Sequence, residues 1–504
     1  MTGDAGGGDG LKERSIRGGA ITLATQGLTL GIQVASTVIL ARLLTPEDYG
    51  AVAMVTALTG FVSLFRDFGL SGAIIQSRSI SREQIDSLFW INAGLGTLVM
   101  IVMMASAPLV AAFYHRPELK WVTIGVSLTS FFSSLGTQHA ALLHRRMRFK
   151  TLAFVQVPAL VAGFASAMAV ALAGGRSWAL VANQVVAAVW STATLWIVSG
   201  FRPRLPRKGT GVRDLLRFGA SILGFDLIYY VRDHVDQILV GRVWGAQLLG
   251  LYSRALALLT LPLANLRQPL NKVAFPAMSR LADDAERYRS YYVKYSSLLA
   301  FITMPIVAFL FACSENIIRL FLGPKWIGAA VIFRILAIAG FVSSVASLRV
   351  TIILSSGQGR KLIRWGLLYM LATVAGYAGG LPWGPKGVAI GYCVATYLTL
   401  HPLLVYAVRD TPVRPSDFYS ALAKPGLASV AMCVLYLATL QRLVAGPDLV
   451  VLAAAVPFCF VSYLAIFRLM PGGRQNLVDY RQYLSTLIRR PAKAAAVPGD
   501  DDRI

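Results

Sequence analysis

Charged residues are scarce in this sequence, and acidic ones scarcer still: 14% of the 504 residues are charged, with 24 Asp and Glu against 48 Lys and Arg. An ordinary soluble domain carries roughly one-quarter charged residues, so water is not the main solvent of this chain, whose mean hydropathy is +0.61. Cysteine is rare as well. Cys313, Cys393, Cys433 and Cys459 all fall inside apolar runs without paired spacing, which excludes a disulfide framework and a metal site and leaves them as small core residues. His139 and His144 read as packed or interfacial groups rather than metal ligands. No Walker A sequence occurs, and the GxG of SSGQGRKL follows no strand, so it reads as a turn. Neither a cofactor nor a nucleotide site is expected.

What is abundant is hydrophobic sequence, 56% of the chain. Apolar runs of about twenty residues, each able to cross a hydrocarbon core of about 30 Å as a helix, recur along the chain at roughly 19–41, 50–65, 88–112, 121–143, 152–173, 178–199, 218–240, 246–266, 296–313, 327–352, 365–381, 387–408, 418–440 and 447–467. The expectation is an all-α integral membrane protein of about fourteen transmembrane helices.

The net charge of +24 raises the question of nucleic acid, and its placement answers no. With a cytoplasmic N-terminus, about 35 of the 48 basic residues fall on inside segments, as the positive-inside rule requires. Lys12, Arg14 and Arg17 begin this series, and the run LLHRRMRFK continues it. The outside segments hold only Arg42, Arg116, Lys120, Arg176, Arg242, Arg319, Lys325, Lys386 and Arg442. A missed helix would put this alternation out of phase, so it supports an even count with both termini inside.

Sliding the chain by 200 positions aligns Arg17 with Arg217, Leu23 with Leu223, Arg42 with Arg242, Gly50 with Gly250 and Ala57 with Ala257. Both copies start on the same side, as parallel repeats of a transporter would. The expected organisation is a cytoplasmic segment 1–18, an N-lobe 19–199, a cytoplasmic linker 200–217, a C-lobe 218–408, two further helices within 418–467 and a cytoplasmic tail 468–504. Leu477, Tyr480, Leu484 and Leu487 of the tail have helical spacing, as in a helix lying on the inner leaflet. The final PAKAAAVPGDDDRI reads as disordered.

Ionisable groups inside a span are costly and mark function. The seventh span carries Asp226, Arg232, Asp233, His234 and Asp236. At about 100° per residue, Arg232, Asp236, Tyr229, Asp233, Asp226 and Gln237 share one face. The first span shows the uncharged counterpart Gln26, Thr29, Gln33, Ser36 and Thr37. Two facing stripes suggest a hydrated cavity lined by Gln26, Gln33, Tyr229 and Gln237. Asp226, Asp233 and Asp236 are the candidate ion-coupling groups, and Arg232, Arg254 and Arg334 the candidate anion contacts, since guanidinium binds phosphate oxygens in a two-pronged fork. The bland alternatives are a structural Arg232–Asp236 pair at i,i+4 and a snorkelling Arg349 near the inner boundary.

The stretches LLTPEDYGAVAM, FRDFGLSGAIIQ, ALLHRRMRFK, DQILVGRVWGAQLLGLYSRALAL and FPAMSRL, in that order and spacing, resemble the polysaccharide flippases. The likeness is to the exopolysaccharide and colanic-acid exporter branch of the multidrug/oligosaccharidyl-lipid/polysaccharide exporter superfamily, over about residues 15 to 410. The resemblance implies two lobes that alternate access and an undecaprenyl-diphosphate-linked repeat unit as substrate. It further implies residence in a bacterial inner membrane, a polysaccharide polymerase as a candidate partner, and a last helix pair that guides the lipid tail. It brings no catalytic residues, so the chain is expected not to be an enzyme, and an ion or substrate gradient must drive it. A multidrug or cation antiporter of the same superfamily would have the same helices, but with cavity carboxylates uncompensated by arginine. An integral-membrane glycosyltransferase would need larger outer loops.

Overall fold

The computed structural model describes residues 7–489 except 67–70, 73, 75–79, 207–212 and 444–445, with the side chains of residues 7–24, 213–222, 225, 268–269, 272–273, 442 and 483–489 also outside the description. The tail PAKAAAVPGDDDRI, much of the linker, and the side chains of Lys12, Arg14, Arg17, Leu484 and Leu487 therefore lie outside the described residues. Within them every regular element is helical and no strand occurs.

The first half is built from α1 (Gly7–Leu43), α2 (Pro46–Ser63), α3 (Arg82–Tyr114), α4 (Leu119–Arg145), α5 (Phe149–Leu172) and α6 (Trp178–Val198). Starts are encoded locally. Thr45 and Asp48 form a capping box at α2, as do Ser81 and Gln84 at α3, each satisfying two amides that hydrocarbon could not. A helical run Arg213–Arg280 follows, broken at Gly245, where φ is 81°. Its parts are α7 (213–244) and α8 (246–280). They fold back on each other: the Tyr252 hydroxyl donates to Asp236 at 2.7 Å, whereas sixteen residues of straight helix would separate them by about 24 Å. Only glycine adopts the required turn without strain.

Next come α9 (Ala285–Ala312), α10 (Ser314–Phe321), α11 (Gly328–Ala346), α12 (Leu348–Ser355), α13 (Gly359–Gly380) and α14 (Gly384–Val408). The pair α13 and α14 is a second tight hairpin, with Gly380 against Gly387 and Gly376 against Gly391. Finally α15 (Pro415–Ala438), α16 (Asp448–Leu469) and α17 (Gly473–Arg489) close the chain. The expected spans fall on these helices, except that 327–352 runs across the break between α11 and α12, and that α4, which carries 121–143, is not among the runs apolar enough to cross a membrane. Among the described residues eleven helical runs are long and apolar enough to cross a membrane, and two of them, Asp226–Arg267 and Gly359–Val408, contain the hairpins just described.

One core runs through both halves, joining Leu40, Met54, Tyr114 and Val126 to Val240, Tyr252, Trp326 and Phe333. A separate core gathers α9, α15, α16 and α17 around Cys313, Cys433, Cys459, Tyr463, Phe467 and Tyr480. All four cysteines are buried and unpaired. In α17, Tyr480 packs into this core with Leu477 at its edge.

The halves meet most tightly at one end. A Cβ on Gly50 would lie 1.7 Å from the Ala246 carbonyl oxygen, and one on Gly250 would lie 1.8 Å from that of Pro46. Under the 200-residue offset these two contacts exchange, so the seal is reciprocal. Around it Tyr49 meets Trp326 edge-on at 5.4 Å, and Trp326 Nε1 donates to the Ala41 carbonyl at 2.9 Å. Midway along the bundle the Tyr230 hydroxyl donates to the Thr56 and Ala57 carbonyls at 3.0 and 2.9 Å.

Candidate functional site

Just beyond the glycine seal, α1, α2, α6, α7 and α8 leave a polar cavity of about 420 Å³. Ser36, Thr37, Thr56, Asn183, Gln184 and Gln237 supply hydroxyl and amide groups to its wall, and among the described residues no carboxylate lines it. Its one cation among the described residues is Arg254. The guanidinium sits 4.6 Å from the centre of the Tyr49 ring, forms no ion pair among the described residues, and has its Nε without an acceptor. A desolvated cation held by an aromatic face and lacking a counter-charge is an anion site in waiting.

Arg254, Thr37 and Ala257 also line a second space, an apolar groove of about 470 Å³. Leu30 and Val34 of α1, Leu258 and Leu261 of α8, Phe309 of α9 and Leu452 and Val456 of α16 form its walls. The arginine therefore stands where a polar chamber meets a greasy one. A ligand matching both would be an amphiphile with its negative charge at the junction.

The seventh-helix stripe is divided among three environments. Arg232 is forked onto Asp233, with Nε and Nη2 donating at 2.6 and 2.7 Å, and lies over Tyr229 and Tyr369 at 4.3 and 5.4 Å. Asp236 is buried and accepts from the Tyr252 hydroxyl and from the Gln237 backbone N–H, each at 2.7 Å. The alternative of a structural Arg232–Asp236 pair is thus not what forms, because aromatic rings on α7 and α13 hold the guanidinium toward Asp233 while the hairpin supplies Asp236 with a tyrosine. Asp226 is exposed.

Other expectations are relocated too. Arg334 lies outside both cavities: its Nε donates to Ser314 at 3.0 Å and its Nη2 to Glu315 at 3.2 Å, which fastens α10 to α11. Arg349 does not snorkel. It is 3% exposed, donates to the Ala346 and Leu400 carbonyls and lies over Trp365 and Tyr369. Gln26, Gln33 and Tyr229 are not in the cavity wall, whereas Gln237 is. On α1 the chamber is lined by Ser36, Thr37 and Leu40, and Thr37 spends its hydroxyl on the Gln33 carbonyl.

Sequence reasoning passed over Asn183 and Gln184, although an adjacent amide pair within an apolar span is a readable signal. Tyr49 and Tyr252 gave none, since each is defined by a partner distant in sequence.

The same architecture is found in known proteins. The lipid II flippase MurJ, in an inward closed conformation, superposes with a TM-score of 0.73 at 14% identity, covering 92% of this chain and 100% of that one. In sequence the chain is 26% identical over 420 residues to the teichuronic acid biosynthesis protein TuaB of Bacillus subtilis (strain 168), covering 82% of this chain and 86% of the relative. It is 24% identical over 418 residues to the lipopolysaccharide biosynthesis protein WzxC of Escherichia coli (strain K12), covering 81% and 83%. The model of the polysaccharide biosynthesis protein family matches residues 39–331, more than half of the sequence, and the chain belongs to that family.

Proposed function

We propose that this multi-pass membrane protein is a flippase that carries a polyprenyl-diphosphate-linked oligosaccharide across a bacterial inner membrane for surface polysaccharide assembly. The observation that carries the proposal is Arg254, an unpaired guanidinium at the junction of a carboxylate-free polar cavity and an apolar groove. Sugars would occupy the polar side, the isoprenoid would lie in the groove against α16, and the diphosphate would meet the guanidinium fork. A cationic-drug antiporter would place carboxylates, not a bare arginine, in this wall.

In this reading fourteen helices cross the membrane, with both termini cytoplasmic, as two six-helix lobes (19–199 and 218–408) joined by the linker 200–217, plus α15 and α16. The lobes rock about the bound lipid while the Gly50–Gly250 seal closes the outer end. Asp226, Asp233 and Asp236 remain the candidates for ion coupling, and Arg232 a second phosphate contact. A polysaccharide polymerase, which consumes the flipped unit, is the natural partner. No covalent step is involved.

Deleting the gene should stop export of one surface polysaccharide and leave its lipid-linked repeat unit on the cytoplasmic leaflet. Unchanged export with lowered resistance to cationic drugs would transfer the assignment to the antiporter.

A further inference from the structure

A third cavity, lined by none of the residues around Arg254, lies where the α12–α13 turn meets the end of α14. It measures about 640 Å³ and is lined by Arg360, Lys361, Arg364, Tyr406, Arg409 and Asp410 together with the turn Gly357–Gly359. Lys361 Nζ bonds Asp410 at 2.8 Å and holds that exposed carboxyl below the usual carboxylate range. Arg360, Arg364 and Arg409 are exposed, and none of their side chains forms a hydrogen bond or ion pair among the described residues. Four cations against one carboxylate leave three positive charges uncompensated around one cavity.

The faces that lead into this cavity identify what would fill it. On α13, Arg360, Arg364, Leu367 and Leu371 follow helical spacing on one face, and Leu367 and Leu371 are 43% and 54% exposed. On α14, Leu398, Val405 and Arg409 do the same, with Leu398 72% and Val405 41% exposed. The two helices form one hairpin, and each carries an outward apolar strip that ends in arginine at the same cavity. A soluble phosphate would use the arginines and ignore the strips; a phospholipid uses both.

We infer that the α13–α14 hairpin holds a resident anionic glycerophospholipid, its phosphate clasped by Arg360, Arg364 and Arg409 and its acyl chains laid along Leu367, Leu371, Leu398 and Val405. Basic pockets of this kind at the cytoplasmic surface attract acidic headgroups, and guanidinium forks fit phosphate oxygens. The site is separate from the transport cavity, and its occupancy is measured without reference to export.

The test is native mass spectrometry of the full-length protein, purified in neutral detergent, stripped of lipid and titrated with phosphatidylglycerol or phosphatidylcholine. Phosphatidylglycerol should stay bound and phosphatidylcholine should not. The Arg360→Ala, Arg364→Ala, Arg409→Ala variant should lose at least about tenfold in occupancy. An equal charge change at Arg146, Arg148 and Lys150, also exposed basic residues, should change it little. Arg364→Ala alone, expected to lose several-fold, serves if the triple variant misfolds. Equal retention of both lipids would overturn the inference, as would unaltered binding by the Arg variants or an equal loss in the Arg146 set. Displacement of the lipid by excess inorganic phosphate would do so too, pointing to a soluble anion.

Discussion

Arg254→Ala is expected to abolish export while leaving the protein at normal levels in the membrane. Among the described residues the guanidinium is the only cation of the polar cavity and makes no ion pair, so removing it breaks no salt bridge there. What is lost is a charge-assisted fork to a diphosphate. Such a contact in a desolvated site is worth about 3 kcal/mol, roughly a hundredfold in export at limiting substrate. Arg254→Lys keeps the charge and loses the fork, so it should fall between the two. Quantifying surface polysaccharide against membrane-inserted protein checks this. Export at the wild-type level by Arg254→Ala would mean that the cavity arginine does not hold substrate.

The second large effect concerns the seal. Gly50→Ala places a methyl group 1.7 Å from a backbone oxygen of the opposite half, and Gly250→Ala does the same at 1.8 Å. Backbone cannot yield as a side chain can, so each change should raise the cost of closing this end by about 3 kcal/mol, the upper range for overpacking. That shifts the closed population roughly a hundredfold. Export should collapse in either variant. A cysteine placed at Ser253, which is 6% exposed and lines the polar cavity, should become labelled from outside the cell in a background lacking the four native cysteines. Gly31→Ala is the control, because nothing lies within 4 Å of its added methyl, and it should export normally. Labelling of the Ser253 cysteine unchanged by Gly50→Ala would show that the seal is not the outer gate.

How far this account could be reached from sequence depends on the range of the interaction. Hydrophobic length and loop charge are local properties, and every expected span falls on helical sequence, with 327–352 divided between α11 and α12. Gly50 and Gly250 were visible as a matched pair, but their function as a seal needed the opposite strand of backbone. The seventh-helix stripe was legible as a face, yet a helical wheel cannot name the neighbour that each side chain meets. Arg232 turned to Asp233 because Tyr229 and Tyr369 flank it, and Asp236 found Tyr252 because Gly245 reverses the chain. Arg334 looked deep in its span, but α10 folds against it and brings Glu315 within reach. Arg349 looked marginal, but α13 and α14 bury it. Arg254 was singled out by depth alone; that it stands between a polar and an apolar chamber could only come from the packing of α1, α8 and α16.

The most direct measurement is translocation by the purified protein. Proteoliposomes carrying a fluorescent polyprenyl-diphosphate oligosaccharide would be treated with a membrane-impermeant reagent that modifies only the sugars on the outer leaflet. In protein-free vesicles about half of the label should stay protected. With the wild-type chain protection should disappear as lipid crosses from the inner leaflet, and with Arg254→Ala it should persist. Protection that persists with the wild-type chain, under any imposed ion or substrate gradient, would contradict the account.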